Sequence, residues 1–339
     1  MTGTTHCTQP RWPLRAPGGR VAYVNGRYLR HDRAGVHIED RGLQFADAVY
    51  EVFGIARGLI LDEVEHFDRL ERSLGEIAMA MPIPRAALSL VLRELLRRNR
   101  LEHGLVYLQV TRGTVRRDHA IPADAPRPTL ILTARSLDPA RNVRRRDEGI
   151  AVVTMEDQRW ARCDIKSTSL LPNVLAKSAA RAEAAFEAWL IDRDGRITEG
   201  SSTTAWIVDE EGRLITRDLS PAVLPGVTRR VIAALAGESQ IAIVERSFTR
   251  DEALAAREAF VTAATLGAMG VVSIDGVTIG DGTPGPLTRR IHELYADAAG
   301  ASAQTGNNSL SRPQQVPLCC DMPGEGPGAE QEETEKSGS

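Results

Sequence analysis

Residues 159–177 read RWARCDIKSTSLLPNVLAK and hold two of the three lysines of this chain, Lys166 and Lys177. The third is Lys336, against 39 arginines in 339 residues, so arginine has replaced lysine almost wherever a generic positive charge serves. Arginine matches lysine for surface charge, ion pairing and phosphate binding, but its guanidinium stays protonated and is no nucleophilic amine. A lysine that resists this exchange is a candidate for amine chemistry. Chance retention suits Lys336, in a polar tail, and Lys177, on the predicted helix NVLAKSAARAEAAFEAW. Lys166 falls after a strand-like run and before that helix, where a side chain can point into a cleft at the end of a sheet.

The texture of the sequence changes on either side of a polar stretch. Upstream, VAYVNGRYL carries Asn25-Gly26, which suits a type I′ hairpin turn. DEVEHFDRLERSLGEIAMA then places Phe67, Leu70, Leu74 and Ile77 on one helical face, and PRAALSLVLRELLRRN does the same with Leu88, Val91, Leu92, Leu95 and Leu96. GLVYLQVTRG and PTLILTARS read as strands. This is a small α+β domain over 21–135. The charged, Pro-containing stretch LDPARNVRRRDEG reads as a linker, 136–149. Downstream, 150–300 is strand-rich: GIAVVTMED, EAWLIDRDGRITEG, TTAWIVDEEGRLIT and the runs from AFVTAATLG to GVTIG are punctuated by Asp-Gly and Glu-Gly turns. Two helices interrupt these strands, after Pro172 and after Pro225.

Residues 1–20 are expected to be a flexible extension, and 301–339, rich in Gly, Pro, Ser, Gln and Glu without apolar period, a disordered tail. The remaining ~280 residues suffice for two domains with real cores. Net charge is −3 and no basic stripe with interleaved aromatics occurs, so nucleic acid is not an expected partner. The four cysteines, Cys7, Cys163, Cys319 and Cys320, show neither metal spacing nor a disulfide framework. No stretch approaches the ~20 apolar residues that span a bilayer. A cytoplasmic protein without a bound metal is expected.

Two further stretches carry chemistry. SPAVLPGVTRRVIAALAG places Pro225, Gly226, Val227 and Thr228 at a helix start, where free N–H groups, the positive dipole end and a hydroxyl can hold a phosphate. An ordinary Pro/Thr helix start would look the same. ITEGSSTTAW supplies Glu199 at a strand end, where a turn residue is the plain alternative. Together, an amine, a phosphate cradle and one carboxylate suit pyridoxal 5′-phosphate: Lys166 as Schiff base, the helix start for phosphate, Glu199 for the pyridine nitrogen.

From about Val21 to Ala296 the sequence resembles the class IV aminotransferases of the branched-chain and D-amino-acid type, most of all their D-amino-acid branch. EDRGLQFADAVYEV, EHFDRLERSL, YLQVTRGTVRRDHA, RWARCDIKS, LPNVLAK, ITEGSS and LPGVTR carry the resemblance, in the family's order and spacing. It implies the two-domain fold type IV, α+β in class, and pyridoxal phosphate as cofactor. It implies that Lys166 holds the cofactor and shuttles the proton of Cα, and that Glu199 keeps the pyridine nitrogen protonated. Arg69, Gly226, Val227, Thr228 and Thr265 would bind the phosphate, and Leu224 would pack against the ring. Tyr50, Arg117 and His119 would hold the substrate α-carboxylate, the last two reaching across a homodimer interface.

The residues themselves leave plainer readings open. Arg117 and His119 lie in a loop that could be a solvated basic one, Arg69 could serve only a salt bridge, and Tyr50 could be an aromatic core residue. The sequence also departs from the D-amino-acid pattern, with Ala263 and Ala264 before Thr265 where hydroxyl residues are usual. The implied activity is transfer of the amino group of a D-amino acid such as D-alanine to a 2-oxo acid such as 2-oxoglutarate. An (R)-amine or branched-chain transaminase, or an aminodeoxychorismate lyase-like enzyme, would use the same lysine and glutamate. A non-catalytic binding protein would not need them.

Lys166→Arg keeps the charge and much of the size but is expected to abolish the covalent hold on an aldehyde cofactor. Borohydride reduction of the native, cofactor-loaded protein followed by peptide mapping should tag Lys166. A tag on Lys177 would overturn the reading.

Overall fold

The computed structural model describes residues 19–124 and 126–305. The expected extension, apart from Gly19 and Arg20, and the tail beyond Thr305 lie outside the described residues, as do Cys7, Cys319 and Cys320.

The first sheet is antiparallel throughout. It is built from β1 (Val21–Val24), β2 (Arg27–Arg30), β3 (Ala48–Ala56), β4 (Leu59–Ile60), β5 (Gly104–Thr111) and β6 (Thr129–Ser136), in the order β2-β1-β6-β5-β3-β4. Asn25 and Gly26 both take positive φ, 45° and 89°, as the Asn-Gly signal requires for a two-residue turn whose twist matches the strands. A short α1 (Arg41–Phe45) precedes β3, while α2 (Glu63–Glu76) and α3 (Arg85–Asn99) bury Phe67, Leu70, Leu74, Leu88, Leu92, Leu95 and Leu96 against the sheet. That is the face their apolar spacing marks.

The second sheet has ten strands. Its elements run α4 (Pro139–Glu148), β7 (Ile150–Glu156), α5 (Leu171–Ala182), β8 (Glu187–Ile191), β9 (Arg196–Gly200), β10 (Thr204–Val208), β11 (Leu214–Thr216), α6 (Val227–Glu238), β12 (Ile243–Glu245), β13 (Phe248–Thr249), α7 (Arg250–Leu254), β14 (Glu258–Ala263), β15 (Gly267–Ile274), β16 (Val277–Thr278) and α8 (Pro286–Thr305). The order is β12-β11-β10-β14-β15-β7-β8-β9-β13, with β16 on β15. Most neighbours are antiparallel, but β11 is parallel to β12, and β7 is parallel to both β15 and β8, with α5 as the crossover to β8. Trp189, Phe248 and Met269 fill one face, and Trp206 and Phe260 pack the other beneath α6 and α8, whose Tyr295 joins that cluster.

Two boundaries differ from the sequence reading. The stretch read as linker, 136–149, holds the ten-residue helix α4: Asp138 accepts from Ala140 N at 3.0 Å as N-cap, Pro139 opens the helix, and Gly149 follows it with φ 79°. None of its residues is buried, so no apolar stripe announced it. At the other end α8 continues through Thr305, past residue 301 where the tail was expected to start. No helix among the described residues is long and apolar enough to cross a membrane.

The two sheets meet backbone to backbone. A Cβ added at Gly54 on β3 would lie 2.3 Å from the carbonyl oxygen of Ala264, just past β14. Gly54→Ala therefore forces β3 away from the 262–265 segment, and by analogy with overpacked cores it is expected to cost about 1–3 kcal/mol of stability in denaturant unfolding. An unchanged midpoint would show that the approach is not a constraint.

Candidate active site

Where β3 passes the Lys166 segment, the backbone is stitched. Tyr50 N donates to Lys166 O at 2.9 Å, Thr168 N to Ala48 O at 3.0 Å, and Val49 bridges Ser167. Lys166 N donates to Ser73 Oγ on α2 at 3.3 Å, and the neighbouring Ile165 is buried in the first sheet's core. Lys166 is thus fixed by the first sheet although it follows a strand of the second. Its Nζ lies 4.3 Å from the centroid of the Tyr50 ring, which is stacked on Tyr107. Burial, and then the nearby Arg69 guanidinium, bring the amine down to about 8. Burial pushes the Tyr50 hydroxyl up to about 12, so it stays protonated.

This amine opens into a cavity of about 1230 Å³. Glu199, Leu224, Gly226, Val227, Thr228, Thr265, Arg69 and Tyr50 all line it. Nine of the eleven residues singled out in the sequence therefore share one cavity. Arg117 and His119 do not. Their side chains are exposed on the loop after β5 and flank Phe45, the guanidinium 5.0 Å from its ring and the imidazole 5.3 Å. Arg41 braces that loop, donating to the carbonyls of Asp118 at 2.6 Å and of His119 and Ala120 at 3.3 Å.

Glu199 sits on β9, buried, where it accepts from Leu224 N at 3.2 Å and from Arg159. Burial pushes its carboxyl up from the usual range, opposed by the Arg159 charge and hydrogen bond and by the Leu224 N–H. The Arg159 residue is half-buried, with its side chain only 7% exposed, and it is held by Asp157 at 2.7 Å, Thr198 Oγ1 at 3.2 Å and Ala222 O at 3.0 Å. Sequence reasoning passed over it, since a partner 40 residues away leaves no local signal. The signal available was its place in the segment that carries Lys166.

Arg69 is held from outside its own helix. Its Nε and Nη2 each donate to Glu51 on β3 at 2.8 Å, and Nη1 donates to Pro225 O at 3.2 Å, beside the first turn of α6. Lys177 also lines the cavity, but its Nζ pairs at 3.1 Å with Glu187, a buried carboxylate that also accepts from Ser201, Ser202 and Thr203. Ala263 and Ala264 line the wall before Thr265, whose carbonyl accepts from Asn142 Nδ2 of α4 at 3.1 Å.

These residues fit pyridoxal phosphate. The twelve-residue α6 has no side-chain N-cap at Gly226, and its start, Gly226 to Arg229, lines the cavity, so the free N–H groups of a helix start are available there. The buried Thr228 hydroxyl makes no well-formed hydrogen bond, its contact with the Tyr295 hydroxyl being off-geometry. A Cβ at Gly226 would stand 2.9 Å from Thr204 Oγ1, so the turn is as close as glycine allows. With one amine near neutrality and one buried carboxylate beside a guanidinium, the donor set matches the aldehyde, ring nitrogen and phosphate of that cofactor. Among the described residues no cluster of His, Cys, Asp and Glu could hold a metal ion.

Comparison with known proteins agrees. The sequence profile described as Amino-transferase class IV matches residues 48–274. A D-alanine aminotransferase of Bacillus licheniformis is 40% identical over 267 residues, 79% of this chain and 93% of that protein. The Escherichia coli branched-chain amino acid aminotransferase superposes with a TM-score of 0.76 at 25% identity, over 82% of this chain and 94% of that one. The branched-chain amino acid aminotransferase of Thermoproteus uzoniensis, solved with norvaline, gives a TM-score of 0.75 at 24% identity, over 85% of this chain and 97% of that one, and bears on the fold alone.

Arg159→Met removes the guanidinium that opposes burial at Glu199, so the carboxyl moves further up and ionises only at higher pH. The acid limb of the amino-donor half-reaction, followed by cofactor absorbance, should move to higher pH by about one unit or more. An unmoved limb would mean that another group keeps Glu199 ionised.

Proposed function

The chain belongs to the class IV aminotransferases, and from that premise we propose that it transfers the amino group of a D-amino acid such as D-alanine to a 2-oxo acid such as 2-oxoglutarate. One observation carries the reading: an amine brought down to about 8 at Lys166, in a cavity shared with Glu199 and the uncapped start of α6. The handedness and size of the donor rest on the D-alanine aminotransferases, which match this chain at 34–40% identity over 79–81% of its length.

Pyridoxal phosphate, when bound, supplies the aldehyde carbon that takes the nitrogen and a ring that accepts the electron pair left at Cα. The remaining work falls to the protein. Near neutral pH an amine that titrates at about 8 can take a proton from Cα and return it, which an ordinary lysine amine, at about 10.4, does poorly. Arg159 and Leu224 N–H favour the charged form of Glu199, so the carboxylate can hold a proton on the ring nitrogen. Arg69, the α6 start with Gly226, Val227 and Thr228, and Thr265 are assigned to the phosphate, and Leu224 to the ring face. Tyr50, beside Lys166, is assigned to the substrate carboxylate.

Arg117 and His119 enter from a second copy. Arg41 braces their loop, yet their side chains are exposed and neither lines this chain's own cavity. Ile38, Leu43 and Ile121 in the adjoining segments are 76%, 65% and 57% exposed, an apolar surround that suits an interface. The active unit is therefore a homodimer, with the partner subunit's Arg117 and the partner subunit's His119 completing the carboxylate site. A reducing, cytoplasmic setting suits Cys163, a buried free thiol.

Arg117→Ala is expected to lower kcat/KM for D-alanine by one to two decades, the worth of a charge-assisted hydrogen bond of roughly 1.5–3 kcal/mol, and to leave the cofactor spectrum unchanged. Mixed heterodimers of Lys166→Ala and Arg117→Ala protein should regain activity, because one of their two sites then has all its native groups. Demonstrated heterodimers without activity would place the clamp elsewhere, and conversion of the cofactor by L-alanine but not D-alanine would overturn the donor.

A further inference from the structure

We propose that Glu51 is a positioning residue that sets the phosphate site by aiming Arg69. On β3, Tyr50 and Val52 face the cavity, while Glu51 points to the opposite side and is fully buried. Both its oxygens are engaged: Oε1 by Arg69 Nε at 2.8 Å, Oε2 by Arg69 Nη2 at 2.8 Å and by His66 Nδ1 at 2.7 Å. Burial alone would push this carboxyl up, but the Arg69 fork and His66 outweigh it and hold it well below the usual carboxylate range. A carboxylate only accepts, so His66 carries its proton on Nδ1, and α2 is pinned to β3 at both His66 and Arg69.

The geometry of the fork gives the inference its content. A guanidinium presents donors along fixed edges, and Glu51 occupies the Nε/Nη2 edge completely. What remains is the far side of the guanidinium, the second Nη2–H and the two Nη1–H, and the fork turns Nη1 toward Pro225 O at 3.2 Å, beside the uncapped first turn of α6. As a charge, Glu51 opposes the approach of a phosphate dianion. Its contribution is direction: it fixes which edge of Arg69 faces the cavity.

This inference rests on the assignment of Arg69 to the cofactor phosphate, and its test compares ligands with and without that phosphate. In the full-length chain stripped of cofactor, equilibrium binding of pyridoxal phosphate and of pyridoxal is measured for the native protein, Glu51→Gln, Arg69→Gln and the double variant. Glu51→Gln should weaken pyridoxal phosphate at least tenfold and pyridoxal less than twofold, and the double variant should lose no more than Arg69→Gln alone. Glu51→Asp keeps the charge but is one methylene too short for the fork. It should show the same preference for losing the phosphorylated ligand, and it decides the matter if Glu51→Gln does not fold. Equal loss of both ligands, additive losses in the double variant, or an Arg69→Gln protein that binds both ligands as the native does would each overturn the proposal. Failure of the transaminase reading looks different: normal cofactor binding with no conversion of its absorbance by any amino acid.

Discussion

The seam between β3 and residues 165–168 is the constraint on which the site depends. A lysine on a free loop after β7 would sample many positions, and an effective reaction geometry tolerates errors of only about an ångström. Here the backbone on both sides of Lys166 is spoken for, by Tyr50 N, Ala48 O and Ser73 Oγ, and Ile165 is sunk in the core of the other sheet. The amine is therefore placed by the packing of two sheets and not by its own loop. The same crossing brings Gly54 against Ala264, so the wall that ends in Thr265 is positioned by the strand that carries Tyr50.

Charge is arranged on that frame with a clear division. A buried ion costs several kcal/mol unless it is paired and hydrogen-bonded. Glu51 has the Arg69 fork, Glu199 has Arg159, and Arg159 has Asp157 besides. Glu187 has Lys177 and three hydroxyls. Lys166 alone among these has no carboxylate within ion-pair distance among the described residues, only an aromatic face. Burial and the Arg69 charge then outweigh the more distant Glu51 and Glu199 carboxylates, which is why its amine comes down toward neutrality while the paired arginines stay charged.

What the sequence made legible were features with short-range signatures. Asn25-Gly26 names its turn, the leucine spacing of α3 names its buried face, and Pro225-Gly226 before an apolar run names a helix start. Lys166 stood out through composition, Glu199 through its place beside Gly200 and Ser201. The pairs that hold these groups had no such signature, because a contact between residues 18, 40 or 156 positions apart leaves nothing in a window of ten. Glu51 was harder still. In AVYEVF it shares a face with the buried Val49 and Phe53, a lone carboxylate on an apolar face, and nothing nearby in the chain names the Arg69 and His66 of α2 that satisfy it. Helix α4 escaped for the opposite reason: it buries nothing, so only its Asp138 cap and Pro139 marked it.

The scarcity of lysine can now be connected with the site. Arginine serves wherever a carboxylate must be gripped along an edge: Arg69 on Glu51, Arg159 on Asp157, Arg85 on Glu71. A lysine at any of these places would offer a point charge without the fork, and at Arg69 or Arg159 it would also put a further amine on the cavity wall. The one other lysine on the cavity wall, Lys177, is tied to Glu187 and rests 4.5 Å from the Phe186 ring centroid. A paired ammonium must first lose its proton and its partner before it can attack a carbonyl, and Lys166 has to lose only a proton that burial already disfavours. On the proposed assignment of Lys166 to the cofactor, this difference in charge pairing favours it over Lys177 before any ligand arrives.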